Sequence, residues 1–129
     1  MANNIDGPEI TLKASATLVG YQFHIMTVDT AGRVKLADDA DDPVEPMLGV
    51  LQNEPALIDR EAVVRIGGVS KIVFTGIIAP GVAITCDASG HAVAAVANDW
   101  VLGVTLETTV AGGIHPVLIR GGGGYVAPV

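Results

Sequence analysis

Apolar and polar residues along this chain rarely recur at helical spacing. Short runs rich in Val, Ile, Ala and Leu are instead bounded by Gly, Pro, Asp and Asn at intervals of about eight to twelve residues, the rhythm of an all-β barrel or sandwich. The pattern predicts strands over Glu9–Ala14, Tyr21–Val28, Arg33–Ala37, Met47–Leu51, Ala62–Ile66, Lys71–Thr75, Val82–Cys86, His91–Ala95, Val101–Glu107 and Pro116–Arg120. Within Tyr21–Val28, Tyr21, Phe23 and Ile25 alternate with Gln22, His24 and Met26, which predicts one face on the core and one mixed face.

The runs form a weak internal repeat. Asp29-Thr30-Ala31-Gly32 with Arg33–Ala37 parallels Asp87-Ala88-Ser89-Gly90 with His91–Ala95 at an offset of 58. Met47–Val50 parallels Val101–Val104, and Val63–Gly67 parallels Val117–Gly121, both at an offset of 54. Each copy reads as a hairpin closed by Asp-x-x-Gly, a loop, a Leu-Gly-Val strand and a last strand ending in Gly. Asp suits the first turn position because its carboxylate bonds back to the backbone, and Gly suits the position of positive φ. The loop Asp38–Pro46 is longer than its counterpart Val96–Trp100, as surface loops allow. On this reading residues 1–12 and the tail from Gly121 lie outside the repeat. Residues 1–12 are an N-terminal arm, and 13–129 form one β-barrel domain.

Composition narrows the function classes. Half of the 129 residues are apolar but only 4% are aromatic, and Lys+Arg 7 against Asp+Glu 14 gives a net charge of −7. Clustered basic side chains supply phosphate-backbone affinity, so this balance argues against a nucleic-acid partner. Mean hydropathy is high at +0.50. Yet no apolar run reaches the roughly 18 residues of a membrane helix, so no membrane partner is expected. The first eight residues, Met1–Pro8, lack the basic start and apolar stretch of a secretory signal. The lone Cys86 forms neither an intrachain disulfide nor a Cys-rich metal site.

Cys86, Asp87, Ser89 and His91 together hold a nucleophile, a base and an orienting acid. The matching residues of the first copy are Val28, Asp29, Ala31 and Arg33. Only the turn-forming Asp and Gly persist, so the group reads as a hairpin and no catalytic residue is assigned. The acidic stretch Asp38–Glu45 places Ala40 and Pro43 where a calcium loop needs a ligand and a glycine, so it reads as a solvated loop. His24, His91 and His115 lack metal-ligand spacing, and no metal or cofactor is assigned. Gly67-Gly68-Val69-Ser70-Lys71 lacks the Gly-Lys-Ser/Thr order of a phosphate loop and reads as a Gly-Gly hairpin. Lys71 lacks the neighbours of a lipoyl-type carrier lysine. Trp100 opens a Trp-Val-Leu-Gly-Val strand and reads as core or subunit contact; a sugar- or peptide-binding module with its site at the loops around Trp100 is the alternative.

Taken in order, the arm, Asp-Thr-Ala-Gly-Arg-Val (29–34), Leu-Gly-Val (48–50), Val-Val-Arg-Ile-Gly-Gly-Val (63–69), Ile-Ala-Pro-Gly-Val (78–82), Asp-Ala-Ser-Gly-His-Ala (87–92), Leu-Gly-Val (102–104) and Val-Leu-Ile-Arg (117–120) resemble the small capsid decoration, or cement, proteins of tailed bacteriophages. The likeness covers roughly residues 9–120. Pro80-Gly81 departs from it, standing where members often carry an acidic residue or Gly-Asp. The resemblance implies a β-tulip-like barrel and no enzymatic activity. It further implies a homotrimer, made in the host cytoplasm, that sits on the outer surface of the mature head and stabilises it by binding the major capsid protein. An apolar chain is compatible with surface buried between subunits.

Gly7-Pro8 followed by the alternation Glu9–Lys13 suits a strand added at a sheet edge, because Pro cannot donate a ladder bond. Three readings stay open: an edge on a neighbouring capsid subunit or protomer, with Ile10 and Leu12 setting register, an edge of its own barrel, or a frayed terminus. Ile5, Pro8, Ile10 and Leu12 are the candidate capsid-contact residues.

Overall fold

A computed structural model describes residues 7–38, 47–97, 99–119 and 125–126. Its elements are β1 (Glu9–Lys13), β2 (Ile25–Val28), β3 (Val34–Leu36), β4 (Gly49–Leu51), β5 (Glu61–Arg65), β6 (Gly68–Val73), β7 (Ala83–Cys86), β8 (Ala92–Ala94), β9 (Trp100–Val101), β10 (Gly103–Thr105), β11 (Ile114–Ile119) and β12 (Tyr125–Val126). The expected all-β fold is present, arranged as two antiparallel five-stranded sheets rather than one closed barrel. Their orders are β1-β5-β4-β2-β3 and β6-β11-β10-β7-β8, and β12 pairs with β9 in a small third sheet.

The two orders are the same path traced twice, which establishes the internal repeat and extends it. β1 corresponds to β6, so the N-terminal strand belongs to the repeat instead of preceding it. The last strand is also shifted. Val50 pairs with Arg65 and Val104 with Leu118, making Arg65 and Leu118 equivalent at an offset of 53 rather than 54. Sequence identity favoured the other alignment because Val recurs on both faces of these strands.

Each sheet curls until its two edges touch at a single parallel bridge, Ala14 to Val34 in the first and Phe74 to Ala92 in the second. Ala14, Leu18, Met26, Val34, Leu51, Ala62 and Val64 fill the first curl. Ile72, Phe74, Ile84, Cys86, Ala92, Leu102, Val117 and Ile119 fill the second, which is capped by Ile25, Ala37, Met47 and Val50 from the first repeat. This explains a departure in β2. Ile25, Met26 and Thr27 are all buried. One face packs inside its own sheet and the other against the neighbouring repeat, so the alternation expected there is absent. Tyr21–Phe23 is not strand; Phe23 turns with φ +66°, at the place where the second repeat has Gly81 at φ +81°. Asp59 and Gly112 form a second such pair, at φ +67° and +76°.

Gly67-Gly68 is not a hairpin. β5 pairs with β1 and β4 while β6 pairs with β11, so this dipeptide carries the chain from one sheet to the other. Gly7 lies so close to the Gly67 carbonyl that a Cβ on Gly7 would collide with it. Arg65 holds the crossover, its guanidinium bonding Glu9 across the β1–β5 pair at 2.7 Å and the Val69 carbonyl at 3.0 Å. The expected strand Val101–Glu107 is broken at Leu102, which is buried between β9 and β10.

Candidate functional site

The Asp-x-x-Gly turns form as their residues dictate. In the first, Asp29 Oδ1 accepts the N–H groups of Ala31 and Arg33, both at 2.9 Å. In the second, Asp87 Oδ1 accepts those of Ser89 at 2.8 Å and His91 at 3.0 Å. Gly32 and Gly90 take φ of +79° and +76°. Asp87 therefore spends one carboxylate oxygen on its own turn, and the other lies 3.3 Å from His91 Nδ1. Cys86 is packed in the second core, on the opposite side of the strand from this pair. The four reactive residues are near one another in sequence but do not converge in space.

The junction between repeats gathers a different group. The rings of His24 and His91 lie 4.8 Å apart, and Tyr21 meets His24 edge-on at 5.2 Å. His24 is buried, and its Nδ1 lies 3.2 Å from the Gln22 carbonyl, to which it donates. Burial lowers the His24 pKa from its ordinary value near 6.5, and the neighbouring His91 pushes the same way. No spacing in the sequence announces this pair, since the counterparts of His24 and His91 are Val82 and Arg33.

A pH dependence follows. The unfolded chain protonates His24 near pH 6.5, whereas the folded chain does so only at lower pH, so stability falls as pH drops below about 6.5 and is unaffected above it. His24→Val, which installs the residue of the second repeat, is expected to flatten that acid limb. Urea midpoints measured from pH 7.5 to 5 on both proteins check it; parallel curves would show that His24 is not responsible.

The remaining candidates have structural tasks. His115 Nε2 accepts the Val110 N–H at 3.1 Å, so Nδ1 carries the proton that faces Glu107 Oε2 at 2.8 Å. The ring thereby pins the loop between β10 and β11. Thr109 and Thr105 pin the facing loop: Thr109 donates to the Gly76 carbonyl and accepts the Ile78 N–H, and Thr105 donates to the Ala79 carbonyl and accepts the Val82 N–H. Lys71 is exposed in the middle of β6, not at a hairpin tip. Trp100 packs half-buried against the second core, as the core reading expects. Among the described residues no group of three or more His, Cys, Asp or Glu is placed to hold a metal. The acidic stretch beyond Asp38 lies outside the described residues, as does Ile5.

The other three arm residues are placed by β1. Of the three readings open for this segment, it takes the edge of its own sheet, Glu9 to Lys13 pairing with Arg65 to Glu61. Pro8 is exposed just ahead of it, and its carbonyl accepts the Ile66 N–H at 3.0 Å. Ile10 and Leu12 are half-buried against the first core. Beside the outer edge of β1 lies an open groove of about 660 Å³, walled by Leu12 and Lys13 on one side and by Gly32 and Arg33 of the β2–β3 turn on the other.

No protein-family model matches the chain, and no curated protein sequence does. A solved structure is similar: the head fiber gp8.5 N base in bacteriophage phi29, with a TM-score of 0.63 at 16% identity, over 88% of this chain and 93% of that one. The two share a fold. Overlap of that extent takes in both repeats, so the gp8.5 base serves as a template for the backbone architecture. At this identity the side chains of the groove and the histidine pair are read from this chain alone.

Proposed function

We propose that this protein is a structural component of a bacteriophage head, which binds the outer surface of the mature capsid as a homotrimer and stabilises it. The observation that carries the reading is the backbone likeness to a head fiber base. The ordered series of turn and strand motifs that resembles the cement proteins supports it independently. Corresponding loops of the two repeats also expose large apolar side chains, Val19, Leu57 and Ile58 in the first and Ile77, Leu106 and Val110 in the second. Apolar surface left at loop tips suits contact with another protein. The partner is the major capsid protein. In the arm, Ile5 and Pro8 are the residues offered to it, while Ile10 and Leu12 seat the root of the arm on its own sheet.

The action is mechanical. A trimer that binds only the expanded lattice shifts the equilibrium toward that lattice by mass action, and three linked contacts raise its avidity. Co-sedimentation with expanded and unexpanded heads built from the major capsid protein of the same phage tests the reading. Binding to expanded heads, and survival of decorated heads at temperatures that burst bare ones, is the expected result. Failure to bind either lattice would overturn it. Removing residues 2–6, which leaves β1 intact, is expected to weaken attachment while the melting temperature holds.

A further inference from the structure

Among the described residues the two repeats meet head to tail. The Phe23 carbonyl accepts the Val73 N–H at 3.1 Å, and the Gly90 carbonyl accepts the Ile25 N–H at 2.8 Å. The segment Phe23–Ile25 of the first repeat thus lies along the outer edge of β6 and over the β7–β8 turn. Leu36 completes the contact, its Cδ1 so close that a Cβ on Gly90 would collide with it, and Gly90 is buried.

The same edge and turn exist in the first repeat, where Lys13 corresponds to Val73 and Gly32 to Gly90. There they border the open groove: Lys13 and Gly32 are exposed, and nothing lies within 4 Å of a Cβ built on Gly32. Ala14 donates its N–H inward to the Arg60 carbonyl at 2.8 Å, so by strand alternation the Lys13 N–H points outward into the groove. The inserting face exists twice as well. The counterparts of Phe23, Ile25 and Leu36 are Gly81, Ala83 and Ala94, of which Gly81 and Ala94 are exposed. Its backbone has the same shape, since Phe23 and Gly81 both have positive φ and donate to Leu51 and Thr105 carbonyls, each at 2.8 Å.

A two-fold axis between the repeats would make their contacts reciprocal. They are head-to-tail instead, which leaves, among the described residues, one unfilled groove and one uncovered inserting face. We infer that the groove receives the Gly81–Ala83 segment of a second copy, the Lys13 N–H donating to its Gly81 carbonyl and its Ala83 N–H donating to the Gly32 carbonyl. Side-chain sizes match this exchange. Within the chain, large residues (Phe23, Ile25, Leu36) cover Val73 and Gly90; between copies, small residues (Gly81, Ala83, Ala94) meet the longer Lys13 beside Gly32. A heterologous contact of this kind closes into a ring when its rotation permits. The inference deepens the trimer part of the reading above and stands on the repeat geometry, not on the head.

Two variants test it by sedimentation velocity or light scattering at micromolar concentration. Ala94→Arg puts a long cation on an exposed strand position that the second copy must approach. Lys13→Pro removes the outward N–H without touching the bonds of β1 to β5. The wild type is expected to run as an oligomer and each variant at one third of the trimer mass with an unchanged far-UV spectrum, while Thr108→Arg, on an exposed loop position, stays assembled. Should Lys13→Pro not fold, Ala94→Arg decides the matter. A monomeric wild type, or a folded Ala94→Arg that keeps the wild-type mass, would overturn the interface. Intact oligomers that ignore phage heads would sink the head reading and leave the interface standing.

Discussion

Gly90→Val is expected to cost about 4 kcal/mol of folding stability, against about 1–2 kcal/mol for Gly32→Val. Both glycines close Asp-x-x-Gly turns at nearly the same φ, +76° and +79°, so the backbone strain of a β-branched residue is common to the two. They differ in what surrounds them. A Cβ at Gly90 would run into Leu36 Cδ1 and come within 3.2 Å of the Ile25 carbonyl oxygen, whereas one at Gly32 would meet open space. The Ile25 oxygen cannot give way without disturbing its bond from the Ala37 N–H at 3.0 Å. Urea unfolding of the two variants measures the difference; equal midpoints with equal slopes would show that the repeats are not packed against each other at this turn.

Phe74→Ala is expected to destabilise by about 3–5 kcal/mol, the range for emptying a fully buried aromatic site. Phe74 has no exposed surface and is the largest fully buried side chain among the described residues. It also meets His115 edge-on at 5.7 Å, so its loss uncovers the ring that pins the β10–β11 loop. Its counterpart is Ala14, and the two curls trade volume: the first combines Ala14 with Leu51, the second Phe74 with Thr105. Large-to-small loss at Phe74 has no such compensation in the second curl. Thermal unfolding checks the size of the effect, and a loss below about 1.5 kcal/mol, the usual ceiling for volume-conserving swaps, would mean that neighbours collapse into the space.

Much of the fold was legible because its signals are local. Asp29 and Asp87 each bond groups two and four residues ahead, so no distant partner is needed to form the turns. β1 and β5 show their alternation in the burial of successive residues, each having a single core-facing side. β2 hid its alternation because a second repeat covers its other face. The Gly67-Gly68 crossover looks like a hairpin in the sequence because a tight turn and a change of sheet ask for the same conformational freedom, and only strand pairing separates them.

The candidate site was less legible. The reactive residues that stand together in sequence, Cys86 through His91, are divided between the core and the surface, while His24 and His91 meet from different repeats. By itself, the sequence determined the β class, the two hairpin turns and the doubling of the unit, because each depends on contacts within a few residues or on hydrophobic period. Tertiary structure alone decided which of two equivalent edges is covered and which lies open, and that Phe23 and Asp59 accept conformations glycine holds elsewhere. Those outcomes depend on how one repeat packs against the other, a free energy summed over many weak contacts that no single motif encodes.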